Sequence, residues 1–193
     1  MPARPRPGRR SASILVALRT WLLRALFLLV VALASARPTA AQVTEYDVKA
    51  AYLFNFLQFV TWPPTAFASP ASPLQLCVAG RDSLGTLLRN LTRTEVVGGR
   101  GITVTIVQGT DDLQRCHLLF LSDGTPAAGS LRAVASRPVL TVGESEDFLA
   151  AGGMIRFVVS DNRVRFDVST RPAARAGLTL SSRLLQVARQ VQR

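Results

Sequence analysis

Short apolar runs alternate with helical segments through the middle of the chain, and this alternation constrains the fold more than any other feature. Four runs are typical of buried strands, and two of the segments between them have helical periodicity. The strands are expected at residues 74–79, 102–107, 117–121 and 138–142, and the helices at residues 82–91 and 127–135. Since parallel strands need long crossover connections, the pattern predicts an α/β domain with a largely parallel sheet.

The last third of the chain departs from this alternation. Two strand-like runs, residues 154–160 and 163–169, are separated only by Asp161-Asn162, a dipeptide that favours a tight hairpin turn. Two helices are expected to follow, one from about Pro172 and one from Ser181 to the end of the chain. We therefore predict a single α/β domain whose mixed, mostly parallel sheet has about five to six strands, flanked by helices and carrying a C-terminal antiparallel hairpin.

The predicted terminal helix has an apolar stripe that fits either a core or a contact surface.

A helix is also predicted near the start of the domain, with Thr44 as its N-terminal cap and residues 61–64 at its end. Its apolar positions recur every three to four residues, at Val48, Ala51, Tyr52, Phe56, Phe59 and Val60. The aromatic side chains Phe54, Phe56, Phe59 and Trp62 cannot all face one way. Part of this aromatic set is therefore available for a dimer contact or a small-molecule pocket.

The first 41 residues have the composition of an export signal. They contain seven arginines and no acidic residue, then an apolar stretch at residues 25–34 and small residues up to Ala41. This order predicts a cleavable signal peptide over residues 1–41 and a mature domain over residues 42–193 that begins at Gln42. Without the leader, 16 basic residues face 12 acidic ones, and the scattered arginines do not favour nucleic acid as a partner.

Two cysteines, Cys77 and Cys116, lie in or beside strand-like runs. In an oxidising compartment such a pair favours a disulfide, although two buried thiols would also fit the sequence. A metal site is not expected, because the two cysteines and His117, the one histidine of the chain, are too few ligands to hold a metal ion.

Residues with catalytic chemistry are scarce. With a single histidine and no nucleophile in a Gly-x-Ser-x-Gly setting, a hydrolase triad has no basis. Carboxylates occur close together at Asp111 and Asp112, and again at Glu144, Glu146 and Asp147, but helix starts and loops place such groups routinely. We predict a protein that is not an enzyme and needs no cofactor.

Six separate segments resemble the YfiR family of periplasmic regulators, in the same order and spacing. They begin with VKAAYLFNFLQFVTWP and also include VLTVGESEDFLAAGGMIRF and RFDVS; their ranges are 48–63, 77–80, 116–120, 139–157, 165–169 and 176–189. The resemblance implies a non-enzymatic, homodimeric periplasmic protein. The best-known member of the family binds and restrains the periplasmic sensor region of an inner-membrane diguanylate cyclase, and so controls cyclic di-GMP and biofilm growth. The resemblance implies that this chain restrains an inner-membrane signalling enzyme in the same way, with a diguanylate cyclase as the expected target. An outer-membrane lipoprotein that binds peptidoglycan withdraws the regulator.

The same resemblance assigns roles to residues of this chain. Cys77 and Cys116 match the family's disulfide pair, whereas a second pair in its best-known member has no counterpart here. The positions that match the family's partner-binding surface are Asp167, Ala173, Arg175, Leu180 and Leu185. The alternative function is a periplasmic small-ligand sensor that acts with a histidine kinase or receptor and has its pocket near the first helix and Arg175.

Overall fold

A computed structural model describes residues 44–80, 82–109 and 111–193. The predicted signal peptide lies outside the described residues. Five α-helices are present in the described part: α1 Glu45–Phe59, α2 Asp82–Thr92, α3 Ala127–Val134, α4 Thr170–Arg175 and α5 Ser182–Val187. Two short 3-10 helices, Pro64–Ala66 and Asp111–Arg115, lie in the connections.

The strands form one large sheet and one small one. Their bounds are β1 Val60–Thr61, β2 Leu74–Ala79, β3 Val96–Val97, β4 Arg100–Val107, β5 Leu118–Leu121, β6 Leu140–Gly143, β7 Ile155–Ser160, β8 Arg163–Ser169, β9 Thr179–Leu180 and β10 Gln190–Gln192. The large sheet has eight strands in the order β10, β8, β7, β6, β5, β2, β4, β3, and β1 pairs with β9 separately. The pairs β7/β8 and β3/β4 are antiparallel, and the others in the large sheet are parallel.

This architecture confirms the predicted α/β domain with its C-terminal hairpin. The sheet has more strands than expected because the short edge strands β3 and β10 carry too little pattern to be recognised. At the hairpin turn, Asp161 and Asn162 have φ angles of 51° and 57°. Both values lie in the left-handed region that the tightest hairpin turns require, and Asn and Asp tolerate this region better than most residues.

The N-terminal cap of α1 is also confirmed, and it is reciprocal. The Asp47 amide donates to Thr44 Oγ1 at 3.2 Å, while the Thr44 amide donates to Asp47 Oδ2 at 2.7 Å. The buried face of the helix is rotated from the predicted one, since Leu53 and Leu57 are buried and Ala51 is exposed. The reason is that α1 packs against α2 as well as against the sheet.

Alternate residues of the central strands enter two separate cores. Leu76 and Val78 of β2 face α1 and α2 and belong to the larger cluster, together with Phe120. Cys77 points to the opposite face, where it packs with Leu131 of α3 in a smaller cluster. The side-chain period of two in a strand thus buries both faces of the central sheet.

The terminal helix was predicted wrongly. It ends at Val187, and the following Ala188 is extended, with φ of −66° and ψ of 142°. The chain then pairs with β8, aligning Val191 with Val168. Residues 190–192 pair with the open edge of β8 instead of continuing the helix. The preceding helix, α4, begins two residues before Pro172, which fits a proline in the first turn.

Candidate partner-binding surface

The segment after β8 crosses α1 and returns to the edge of the large sheet. Strand β9 pairs with β1, which follows α1 directly, and aligns Leu180 with Val60. The amide of Ser181 donates to the carbonyl of Phe59 at 2.9 Å, and the Ser181 hydroxyl caps α5. Strand β10 then adds to β8. Two strand pairings therefore fix this C-terminal segment to the rest of the domain.

Asp167 joins three elements of this region through ion pairs to its buried carboxylate. Arg189 donates two hydrogen bonds to its carboxylate, from Nε at 2.8 Å and from Nη2 at 2.6 Å. Arg156 Nη2 donates to the same carboxylate at 2.8 Å, and its Nη1 donates to the carbonyl of Glu146 at 2.7 Å. Asp167 is 1% exposed and Arg189 lies at the surface, so the network links β7, β8 and the entry to β10 around a buried carboxylate.

The charge of Asp167 is stabilised by its partners. Burial alone would raise the pKa of this carboxyl group, but hydrogen bonds from Arg189 and Arg156 outweigh that effect and lower the pKa from its ordinary value. The carboxylate also raises the pKa of Arg189. Both shifts favour the charged forms, as a bidentate guanidinium–carboxylate pair requires.

The five positions that the sequence assigns to partner binding do not share one environment. Asp167 and Ala173 are buried, whereas Leu180 and Leu185 are half-buried and pack against the larger core cluster. Arg175 is exposed on α4 and lines a cavity of about 270 Å³ with residues that include Arg132 and Met154. No residue of α1 lines that cavity, so the structure does not bring Arg175 and the aromatic helix to one pocket.

The exposed apolar groups of this region are two valines that sequence analysis missed. Val187, at the end of α5, is 68% exposed and Val159, on β7, is 52% exposed. Val187 lines a cavity of about 410 Å³, which we call the hairpin cavity; its lining residues are Tyr52, Arg163, Val164, Arg165, Gln186, Val187, Ala188 and Arg189. Recognising Val187 from sequence would have required knowing that the helix ends there.

Most of the aromatic set on α1 is core. Phe56 is 1% exposed, and its ring lies 5.0 Å from that of Phe166 and 5.9 Å from that of Phe157. Trp62 is buried, and its indole nitrogen donates to the carbonyl of His117 at 3.1 Å. Tyr52 alone extends from this cluster into the hairpin cavity.

A disulfide joins Cys77 and Cys116, with their Cα atoms 5.7 Å apart. Cys77 lies in β2 and Cys116 lies two residues before β5, the parallel neighbour of β2. Both cysteines are buried in the smaller core cluster. The bridge therefore fastens two central strands near one end of the sheet.

Both nitrogens of the His117 ring are hydrogen-bonded to the backbone. The amide of Gln75 donates to Nδ1 at 3.0 Å, so the proton lies on Nε2, which donates to the carbonyl of Ala66 at 3.1 Å. The ring of Phe67 stacks on it at 4.6 Å. Both ring nitrogens are occupied, and neither is available as a general base.

Acid should destabilise the domain through His117. Burial lowers the pKa of this imidazole below its ordinary value of 6.5, and the nearby Arg100 adds to that effect against the opposing Ala66 hydrogen bond. The unfolded chain then binds the proton more readily, so stability is complete above pH 6.5 and declines as the pH falls towards the lowered pKa. Urea titrations between about pH 7 and pH 5 should show this decline in the wild type and a smaller one in His117→Asn. Equal slopes for the two proteins would contradict this role of His117.

The carboxylates of residues 144–147 lie in different environments. Glu144 forms an ion pair with the buried Lys49 of α1 and accepts a hydrogen bond from the amide of Asp123 at 2.6 Å. Glu146 and Asp147 are exposed in a turn, where the sequence predicted the start of a helix. Within the described ranges, no group of three potential ligands is placed to hold a metal ion.

The sequence matches the model of a known protein family. A family model described as YfiR/HmsC-like matches residues 46–189. The match spans α1 to the start of the terminal edge strand, and so includes the disulfide, the Asp167 network and the hairpin cavity. Of the helices in the described ranges, none is long and apolar enough to cross a membrane. The chain therefore belongs to the YfiR/HmsC-like family, a family of periplasmic regulators.

Proposed function

We propose that the mature chain is a non-enzymatic periplasmic protein that binds and restrains the periplasmic sensor region of an inner-membrane signalling enzyme. A diguanylate cyclase is the proposed enzyme, so the regulator would hold down cyclic di-GMP and biofilm growth. Family membership supports this role, and so does the export-type composition of residues 1–41. The same resemblance supports a homodimer and withdrawal by an outer-membrane, peptidoglycan-binding lipoprotein.

One observation carries the location of the binding surface. Val187 exposes 68% of its surface at the rim of a cavity, directly beside the segment that the family resemblance assigns to partner binding. An exposed apolar side chain next to a concave surface is a candidate contact for a protein partner. Asp167 and Ala173 are too buried to touch a partner, so their proposed role is to position this surface.

Val187→Asp should weaken partner capture about tenfold without unfolding the domain. Because Val187 is mostly exposed, the substitution should change the free energy of unfolding by less than about 0.5 kcal/mol. The mature protein with an N-terminal tag would be expressed in the periplasm, cross-linked, purified from membranes and analysed by mass spectrometry. We expect the wild type to retain a diguanylate cyclase or sensor kinase, and Val187→Asp to retain about tenfold less.

Val96→Asp is the matched control. Val96 is 63% exposed and lies in β3, at the opposite edge of the large sheet from β10. This variant should capture the partner like the wild type. Leu180→Asp is a poorer probe, because Leu180 packs against the core and its substitution would also affect folding. Retention of the same membrane enzyme by wild type and Val187→Asp would refute this location of the surface.

A second function has one observation in its favour. A cavity of about 330 Å³ lies beside the disulfide, and its walls include Gln75, Arg115 and Arg137. This volume is at the lower end of the range for small-molecule sites, and its polar lining suits a small anion. A small-ligand sensor acting with a histidine kinase or receptor would use this cavity. Saturable binding of a small ligand, with no membrane enzyme captured, would favour that function.

A further inference from the structure

The edge of β8 is open where the strand passes the hairpin cavity. Strand β10 pairs only with Asp167, Val168 and Ser169, and no other strand of the described chain pairs with β8 on that side. The first half of β8 thus has a free edge, and Val164 in that half lines the cavity. An open strand edge is a template on which an extended chain can form backbone hydrogen bonds.

The hydrogen-bond pattern shows which backbone groups face this opening. The Phe166 carbonyl accepts from the amide of Arg189 at 2.8 Å, whereas the amide of Ser169 donates to Met154 on the β7 side at 2.8 Å. Backbone groups of successive residues in a strand point to alternate sides. Val164 is two residues before Phe166, so its amide and carbonyl face the hairpin cavity.

The lining of the hairpin cavity is mostly polar, with a small apolar patch at its floor. Tyr52 and Val164 are half-buried in it, and the more exposed Val187 stands at its rim. Val159 is aligned with Val164 in the hairpin and extends the same apolar face. A volume of about 410 Å³ has room for a few side chains, but not for a folded domain.

The rim of the hairpin cavity is positively charged. Arg163 and Arg165 are exposed, and neither forms an ion pair with any residue that the structure describes. Arg189 also lines the cavity, but its guanidinium is already bound to Asp167. The lining contains no carboxylate. Two arginines are therefore free to bind acidic groups of a partner.

We propose that the hairpin cavity binds an extended acidic segment of the partner by strand addition to β8. The segment pairs with the backbone of Val164, places an apolar side chain on the floor of the cavity and sets carboxylates beside Arg163 and Arg165. Main-chain pairing supplies affinity in this mode, and the pockets and charges supply specificity. A protein segment fits this site better than a lipid surface does, because only a peptide backbone can pair with a strand edge. This inference rests on the proposed function and names the chemistry of its partner.

Fluorescence anisotropy with two synthetic peptides tests the charge preference. One labelled, acetylated peptide alternates valine with glutamate, and the other replaces every glutamate with lysine. The mature wild-type protein should bind the acidic peptide saturably, and the lysine peptide at least about tenfold more weakly. The double variant Arg163→Glu/Arg165→Glu should reverse this order. Equal binding of both peptides, or an unchanged preference in the double variant, would overturn the proposal.

Two further variants test whether the positive charge must lie at this site and whether backbone pairing contributes to peptide binding. Arg93→Glu/Arg132→Glu changes the net charge by the same amount at two exposed positions outside the cavity, and it should bind like the wild type. Val164→Pro removes the amide hydrogen that faces the cavity, at an edge where proline is tolerated. It should weaken the acidic peptide about fivefold. Unaltered binding by Val164→Pro, with an unchanged circular dichroism spectrum, would exclude strand addition.

The same variants distinguish this inference from the proposed function. If Arg163→Glu/Arg165→Glu captures the membrane enzyme as well as the wild type does, while Val187→Asp does not, the proposed function stands and the acidic segment is excluded. If the wild type captures no membrane enzyme, the proposed function itself fails.

Discussion

The double variant Cys77→Ala/Cys116→Ala is expected to lose about 4 kcal/mol of the free energy of unfolding relative to the oxidised wild type. The disulfide connects residues 39 positions apart and so removes much conformational freedom from the unfolded chain. Alanine keeps the two buried positions apolar, so the loss reflects the missing bridge and not a buried polar group. Most small domains have only about 5–15 kcal/mol of stability in total. The reduced protein should therefore be only marginally stable at growth temperature.

Equilibrium urea unfolding of three samples measures this contribution. The oxidised wild type, the wild type kept reduced without alkylation, and the double alanine variant should give one high midpoint and two low ones. The two low values should agree, because both proteins lack the same constraint. A loss below about 1 kcal/mol would show that the unfolded chain is restricted by something other than the bridge.

Asp167→Asn is expected to destabilise the domain by about 3 kcal/mol. The substitution removes the negative charge on which Arg156 and Arg189 converge, and Arg156 already has its Nε buried without a hydrogen-bond partner within the described chain. The guanidinium of Arg156 would then remain in the domain without a counter-charge. Asp147→Asn is the matched control, since Asp147 is exposed and should change stability little. Equal unfolding midpoints for the two variants would contradict a stabilising role for the network.

The substitution Asp167→Asn should first loosen the end of the chain. Arg189 precedes β10, so weakening its clamp should free residues 190–192 from β8 and raise hydrogen exchange there before the domain unfolds. The effect also depends on pH in a defined direction. Because the folded pKa of Asp167 is lowered, its stabilising contribution is present above the ordinary value of 3.8 and is lost as the pH falls below it. Asp167→Asn should lack this acid-dependent loss.

The parts of the fold that the sequence predicts are those with a strong local pattern. Helix α1 begins directly after Thr44 because the residues of its cap lie within four positions of each other. The hairpin turns at Asp161 and Asn162 because few residues accept left-handed φ angles. The central strands are recognisable because they are continuously apolar, as expected for strands buried on both faces.

The parts that were missed depend on distant partners. Residues 188–192 have an apolar stripe compatible with helix, and only the open edge of β8 and the position of Asp167 explain why they are extended. The hairpin cavity is assembled from α1, the hairpin and the end of α5, which meet only after folding. Its key exposed residue, Val187, looks like an ordinary core position in a helical pattern.

The buried state of two predicted partner-binding residues changes how their substitution should be interpreted. A variant at Asp167 or Ala173 that disrupts regulation would act by moving the surface or by unfolding the domain, because neither side chain reaches solvent. Val187, Arg163 and Arg165 are the positions at which binding can be altered while stability is kept.

The most direct measurement is the cyclic di-GMP content of cells that lack the gene and carry it back in three forms. The wild type and Val96→Asp should both lower cyclic di-GMP, since Val96 lies at the far edge of the sheet. Val187→Asp, present in the periplasm in equal amount and with an equal unfolding midpoint, should leave it high. If all three forms lower cyclic di-GMP equally, the surface beside the hairpin cavity is not the regulatory one, and if none does, the protein does not restrain a diguanylate cyclase.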